Sequence, residues 1–159
     1  MNLVEEIAPG LSGLDTLNHM IAAGGRPPIG ETLDFELVEV GDGWATFVGT
    51  PSLRAYNPIG TVHGGYAATL LDSACGCATH SKLTADQVYT TVELKISYIR
   101  PVTSDVGLLR AKGHVVSIGR RIAFAEATLK DETGRLYATA TSTLLVIDRP
   151  LSQTPSRVT

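Results

Sequence analysis

The chain is short of cysteine, of net charge and of long apolar runs. Two cysteines stand in 159 residues, and the formal net charge is −3. No uninterrupted apolar stretch approaches the ~20 residues that cross a bilayer, so no membrane helix is expected. The slight negative charge argues against bulk binding of nucleic acid, while leaving room for a local basic patch that holds an anionic small molecule. Cys75 and Cys77 lie two apart on a helical segment. That spacing turns them roughly 200° from each other, which disfavours a disulfide. Without clustered histidines they make a poor zinc site, and no metal is expected. The opening MNLVEEIAPG carries no basic leader before an apolar run, so it reads as no secretory signal. A reduced, cytoplasmic setting fits these features. No internal repeat or low-complexity block breaks the chain.

What is present is a globular composition, 43% hydrophobic and 18% charged. The length suits one domain with a real core. Residues 11–23 place Leu11, Leu14, Leu17 and Ile21 at helical spacing, and GGRPPIG breaks that helix. TLDFELVEV alternates Leu33, Phe35 and Leu37 with polar neighbours and predicts a strand. GDG at 41–43 predicts a hairpin turn into a returning strand, WATFVGT. A helix is expected at about 64–81. Its Ala67, Ala68, Leu70, Leu71, Ala74, Cys75, Cys77 and Ala78 surround the circumference, which predicts burial on all sides.

The period then changes to two. TTVELKISYI sets Val92, Leu94, Ile96 and Tyr98 on one face and Thr91, Glu93, Lys95 and Ser97 on the other. Pro101 ends that strand. Three long strands follow, VGLLRAKGHVVSI, RRIAFAEATLK and RLYATATSTLLVI, joined tightly enough to require antiparallel pairing. Ala123, Ala125 and Ala127 form a strand face that a helix could approach closely, with the inner face left open. The order is helix, two strands, helix, four strands. It predicts an α+β domain over 1–148, a long antiparallel sheet wrapped around one buried helix, with a loose tail over 149–159.

One stretch stands apart. Asn57 and Gly60 precede His63-Gly64-Gly65, and Asp72 follows the histidine by nine places. With the element order from about residue 30 to 148, this resembles the hotdog-fold acyl-CoA thioesterases of the phenylacetate-degradation (PaaI-like) type. The resemblance implies hydrolysis of an acyl-CoA to free acid and coenzyme A, with no cofactor beyond the coenzyme A of the substrate. It also implies active sites at a homodimer interface, with dimers commonly pairing into tetramers. In that family the residue matching Asn57 orients the substrate carbonyl or the water, and the one matching His63 shapes the loop around the carbonyl. Some members place a water-positioning hydroxyl on the strand after the helix, where Thr90 and Thr91 compete. Gly76, one turn past Asp72, departs from relatives that carry Ser or Thr there, which leaves Thr91 as the preferred hydroxyl.

The residues have ordinary readings as well. Asn57 could be a turn residue in YNPIG, and His63 a helix-entry residue bonded to backbone. Gly64 and Gly65 could serve only a tight turn. Their alternative is chemical: a helix N-terminus offers free N–H groups and a positive dipole, so the Gly64 amide could polarise a thioester carbonyl beside Gly65. Asp72 is harder to explain structurally. Asp is a mediocre helix former, and a buried carboxylate is costly unless paired. It could act as general base on water or as nucleophile through a mixed anhydride. Gly64 and Asp72 are eight residues apart, about 12 Å along a helix, so one chain cannot aim both at one carbonyl. Two antiparallel helices across a two-fold axis could. Arg120 and Arg121 could bind coenzyme A phosphates or be plain turn charge. Two rivals remain: an acyl-CoA-binding hotdog protein without turnover, and a hotdog hydratase or dehydratase.

Overall fold

The computed structural model describes residues 10–149. Its elements are α1 (Gly13–Ala22), α2 (Pro28–Leu33), β1 (Phe35–Gly41), β2 (Trp44–Gly49), α3 (Gly64–His80), β3 (Gln87–Tyr98), β4 (Leu109–Ile118), β5 (Ile122–Asp131) and β6 (Leu136–Asp148). The expected order therefore holds with one correction. The alternation predicts strand from residue 32, but Pro28–Leu33 forms a short helix that ends at Asp34 in the left-handed region. Proline at the start of a helix costs nothing, because the first N–H groups have no partner anyway. Of the expected loose tail only Arg149 lies within the described residues, and its N–H bonds the Asp86 carbonyl at 2.7 Å. The N-terminal decapeptide, apart from Gly10, lies outside them too.

The six strands form one antiparallel sheet in the order β1-β2-β4-β5-β6-β3. Asp42 and Gly43 make the β1–β2 turn, with Gly43 at φ 79°. β3 leaves the helix and crosses to the far edge, beside β6. Among the described residues, one flank of this twelve-residue strand therefore has no strand beside it.

α3 lies across the inner face and touches every strand. Inward residues of β4 and β5 alternate with outward ones: Leu109, Ala111 and Gly113, then Ala123, Ala125, Ala127 and Leu129. The alanine face is thus the inner one. Small side chains let the helix sit close, and Gly113 shows how close. A Cβ there would lie 2.4 Å from the Ala74 carbonyl oxygen. Helix backbone cannot swing aside as a side chain can. Gly113→Ala is expected to destabilise the fold by about 1–3 kcal/mol, as overpacking does, read as a lower urea midpoint.

α3 is not buried on all sides. Leu70, Leu71, Ala74, Cys75 and Ala78 are fully enclosed. Gly65, Ala68, Thr69, Asp72 and Ser73, at spacings of three and four, form a partly open stripe of small side chains. Leucines seek the sheet, and this stripe stays partly open beside the β3 edge, where Asp72 meets Thr91.

β3 brings a second correction. A bulge between Thr91 and Glu93 inserts one residue opposite β6. Val92 is left 63% exposed, and Thr91 joins the inward face of Leu94 and Ile96. Period-two alternation assumes an unbroken ladder, which a bulge does not give.

Among the described residues, no helix is long and apolar enough to cross a membrane.

Candidate active site

The residues singled out in the sequence fall into three places. The first is the start of α3. His63 is its N-cap: the ring Nδ1 accepts the Gly65 N–H at 2.8 Å, and the carbonyl accepts the Tyr66 N–H at 2.9 Å. A ring nitrogen already accepting from backbone is poorly placed to be a base. The Gly65 amide is spent on that cap. Among the described residues the Gly64 N–H meets no acceptor. It is the one free donor pointing off this turn in a region of positive dipole.

Tyr98 supports this end, a role that nothing in the sequence signals beyond its place at the end of the strand. Its hydroxyl donates to the Gly64 carbonyl at 2.9 Å. Its ring lies 3.1 Å from where a Gly64 Cβ would be. A cleft of about 290 Å³ opens here, lined by Asn57, Val62, His63, Gly64, Tyr98 and Arg100 among others. Asn57 works mainly on its own loop. Its Oδ1 accepts the Ile59 and Thr61 N–H groups, and its Nδ2 donates to Thr61 Oγ1. The 57–61 loop is thereby fixed against the helix start, and one amide hydrogen of Asn57 is left over.

The second place is two turns along the helix. Thr91 Oγ1 donates to Asp72 Oδ1 at 3.0 Å, both partly buried. The β3 bulge makes this possible by turning Thr91 inward, while Thr90 stays exposed. One carboxylate oxygen is pinned, and Oδ2 has no protein partner among the described residues. Tyr89, two residues before Thr91, packs beside Gly76: its hydroxyl is 2.5 Å from where a Cβ would stand. The sequence hint for it was Gly76 itself, a bare position inside a helix.

Cys75 and Cys77 flank this group. Burial first, and then the negative charge of Asp72, push both thiols up to about 12. At pH 8 the thiolate, which is the reactive form, is then a tiny fraction. Neither cysteine should react with an aromatic disulfide reagent in the folded protein, and both should after denaturation, which absorbance of the released thiol will show.

The third place is the β4–β5 turn. Arg120 and Arg121 line a depression of about 310 Å³ with Val146, Ile147 and Asp148. Ile122 pairs with Leu145 and Thr91 with Leu144, so the arginines share the Asp72 end of the sheet. Tyr98 pairs with Ala138, seven β6 residues away, so the Gly64 end is about 23 Å distant at strand rise.

Residues 59–138 match the sequence profile of the thioesterase superfamily, about half of the chain. The chain belongs to that superfamily, and its fold is the hotdog fold of the PaaI-like type. It is 40% identical over 72 residues to a provisionally named esterase of Halobacterium salinarum, which covers 44% of this chain and 46% of that one. The chain thus spans less than half the length of that relative. It is 24% identical over 116 residues to a 1,4-dihydroxy-2-naphthoyl-CoA hydrolase of Listeria monocytogenes, 73% of this chain and 93% of the other. The solved structure of a phenylacetic acid degradation-related protein of Ralstonia eutropha superposes with a TM-score of 0.72 at 26% identity, over 81% of this chain and 98% of that one.

Proposed function

We propose that the protein hydrolyses an acyl-CoA thioester, aryl or medium-chain, at sites each shared by two copies of the chain. The observation that carries this reading is the separation of an unspent Gly64 amide from the Asp72–Thr91 pair on one helix. The eight-residue offset, about 12 Å, keeps them apart within a chain. The exposed flank of β3 supports the pairing. A two-fold axis that set β3 against β3 of a second copy would satisfy both edges, and it would turn the two α3 helices antiparallel. The open stripe of small residues around Asp72 would then face the partner's helix.

At such a site the thioester oxygen accepts the Gly64 N–H of one copy. Water attacks the carbonyl carbon and gives its proton to Asp72 of the other. The C=O electron pair moves onto oxygen, where the amide and helix dipole stabilise it. Collapse restores C=O and breaks the C–S bond, and the departing thiolate takes the proton from Asp72. If Asp72 attacks directly, a mixed anhydride forms first, and water hydrolyses it with the same groups in place. Thr91 fixes the carboxylate, and His63 and Asn57 hold the loop that aims the amide. Arg120 and Arg121, at the Asp72 end, are placed to take coenzyme A phosphates. Pairs of dimers would give the tetramer implied by the resemblance, and a cytoplasmic setting would supply reduced cysteines.

The test is a thiol-release screen over aromatic and aliphatic CoA esters. At least one ester should turn over at about 1 s⁻¹ or faster, within the usual range for enzymes. Tight binding without thiol release would replace this reading with that of a binding protein. Hydration of an enoyl-CoA, followed by absorbance, would replace it with that of a hydratase.

A further inference from the structure

Backbone conformation does not explain the glycine at position 76, which faces Tyr89. Gly76 has ordinary helical backbone, with no positive φ that would require glycine. A glycine inside a helix costs about 0.5–1 kcal/mol relative to alanine. What the missing side chain provides is room. The Tyr89 hydroxyl lies 2.5 Å, and ring atoms Cε2 and Cζ 3.0 Å, from where its Cβ would be. One helical turn further along α3 the ring meets His80, centroids 5.9 Å apart and tilted by 54°. The phenol is therefore held in one place with its oxygen against α3.

That place is one helical turn from Asp72, on the same strand face as Thr91. Side chains four apart on a helix stand roughly 5–6 Å from each other, which is about the span of one bridging water. Thr91 occupies Asp72 Oδ1 from one side. The Tyr89 hydroxyl lies against Gly76, four residues along the helix from the same carboxylate. Burial first, and then the neighbouring Cys77 and the Asp72 carboxylate, push the phenol up, so it stays neutral.

We infer that the Tyr89 hydroxyl is a second anchor for the attacking water at Asp72, with Gly76 kept bare to admit it. The water gives one hydrogen to the Asp72 carboxylate and the other to the Tyr89 oxygen. Its lone pairs are then free to face the thioester carbon. This rests on the hydrolytic reading above and adds a residue to it.

Tyr89→Phe removes the oxygen and keeps the ring. On the best ester of the screen, kcat should fall about 10- to 100-fold, the worth of a hydrogen bond at a charged site, with KM within about twofold and the melting temperature unchanged. Tyr89→Leu should lose at least as much. Adding Gly76→Ser to Tyr89→Leu returns a hydroxyl to the same space from the helix, and should recover at least about fivefold in kcat. A purely packing role would move stability and would gain nothing from the serine. A kcat of Tyr89→Phe within about twofold of the parent, or no recovery in the double variant, overturns the inference. Asp72→Asn measured alongside separates the two levels. If that variant is fully active, the hydrolytic role of Asp72 fails and this proposal with it. If it is inactive while Tyr89→Phe is not, only the role of Tyr89 fails.

Discussion

Asp72→Asn should lower kcat by about 10²- to 10⁴-fold, the usual worth of a general base, while leaving the protein folded. The fold should survive because asparagine keeps the shape of aspartate and its Oδ1 still accepts the Thr91 hydroxyl, the bond that now measures 3.0 Å. Position 72 also lies on the partly open stripe of α3, so losing its charge leaves no buried ion without a partner. What disappears is the ability to take a proton from water or to attack a carbonyl. Full kcat over the CoA-ester screen would remove Asp72 from the chemistry and leave the thioesterase reading without its acid. Loss of kcat together with a large drop in melting temperature would show a structural role instead.

Gly64→Pro tests the other half of the site with equal economy. Position 64 is the first residue of α3, where proline is tolerated because the N–H bonds nothing within the helix. The residue before a proline prefers extended backbone, and His63 already sits at φ −60° and ψ 135°. The substitution should therefore delete one N–H and little else. Gly64→Ala is the control: it adds the same Cβ, 3.1 Å from Tyr98, and keeps the amide. Loss of one oxyanion donor should cost proline about 10²- to 10³-fold in kcat, and alanine far less. Mixing the two inactive chains then tests the shared site. A dimer of one Asp72→Asn chain and one Gly64→Pro chain holds one intact site and one doubly damaged site. Random exchange of equal amounts should restore about a quarter of parental activity, since half of the pairs are mixed and each has one working site of two. No recovery, with exchange shown by mass spectrometry, would mean that the amide and the acid act within one chain or not together.

Much of this was legible along the chain because it is local. The buried central helix reads from its run of small and apolar residues, and Asp72 reads as an anomaly within it. The antiparallel pairing of β4, β5 and β6 reads from connections too short for anything else. The features that escaped are those set by a partner strand or by space. The bulge after Thr91 turns Thr91 inward in place of Val92 while Leu94 and Ile96 keep the expected inner face, since pairing with β6 decides where a residue is inserted. Tyr98 and Tyr89 meet Gly64 and Gly76 from more than ten residues away in sequence, and periodicity cannot place a phenol against a glycine. Apolar character all round predicts a helix buried on every side, but composition does not encode that the sheet leaves the Gly65–Ser73 stripe partly open.

The sequence by itself determined every element but the short helix Pro28–Leu33, their order, the helix entry at His63 and the distance that separates Gly64 from Asp72. Each of these follows from backbone geometry and from side chains acting on near neighbours. Only the tertiary structure decided which face of each strand looks inward, which hydroxyl meets the Asp72 carboxylate, and that Arg120 and Arg121 stand at its end of the sheet. Those outcomes depend on strand register and on packing between remote segments, and no local pattern in the chain encodes either one alone.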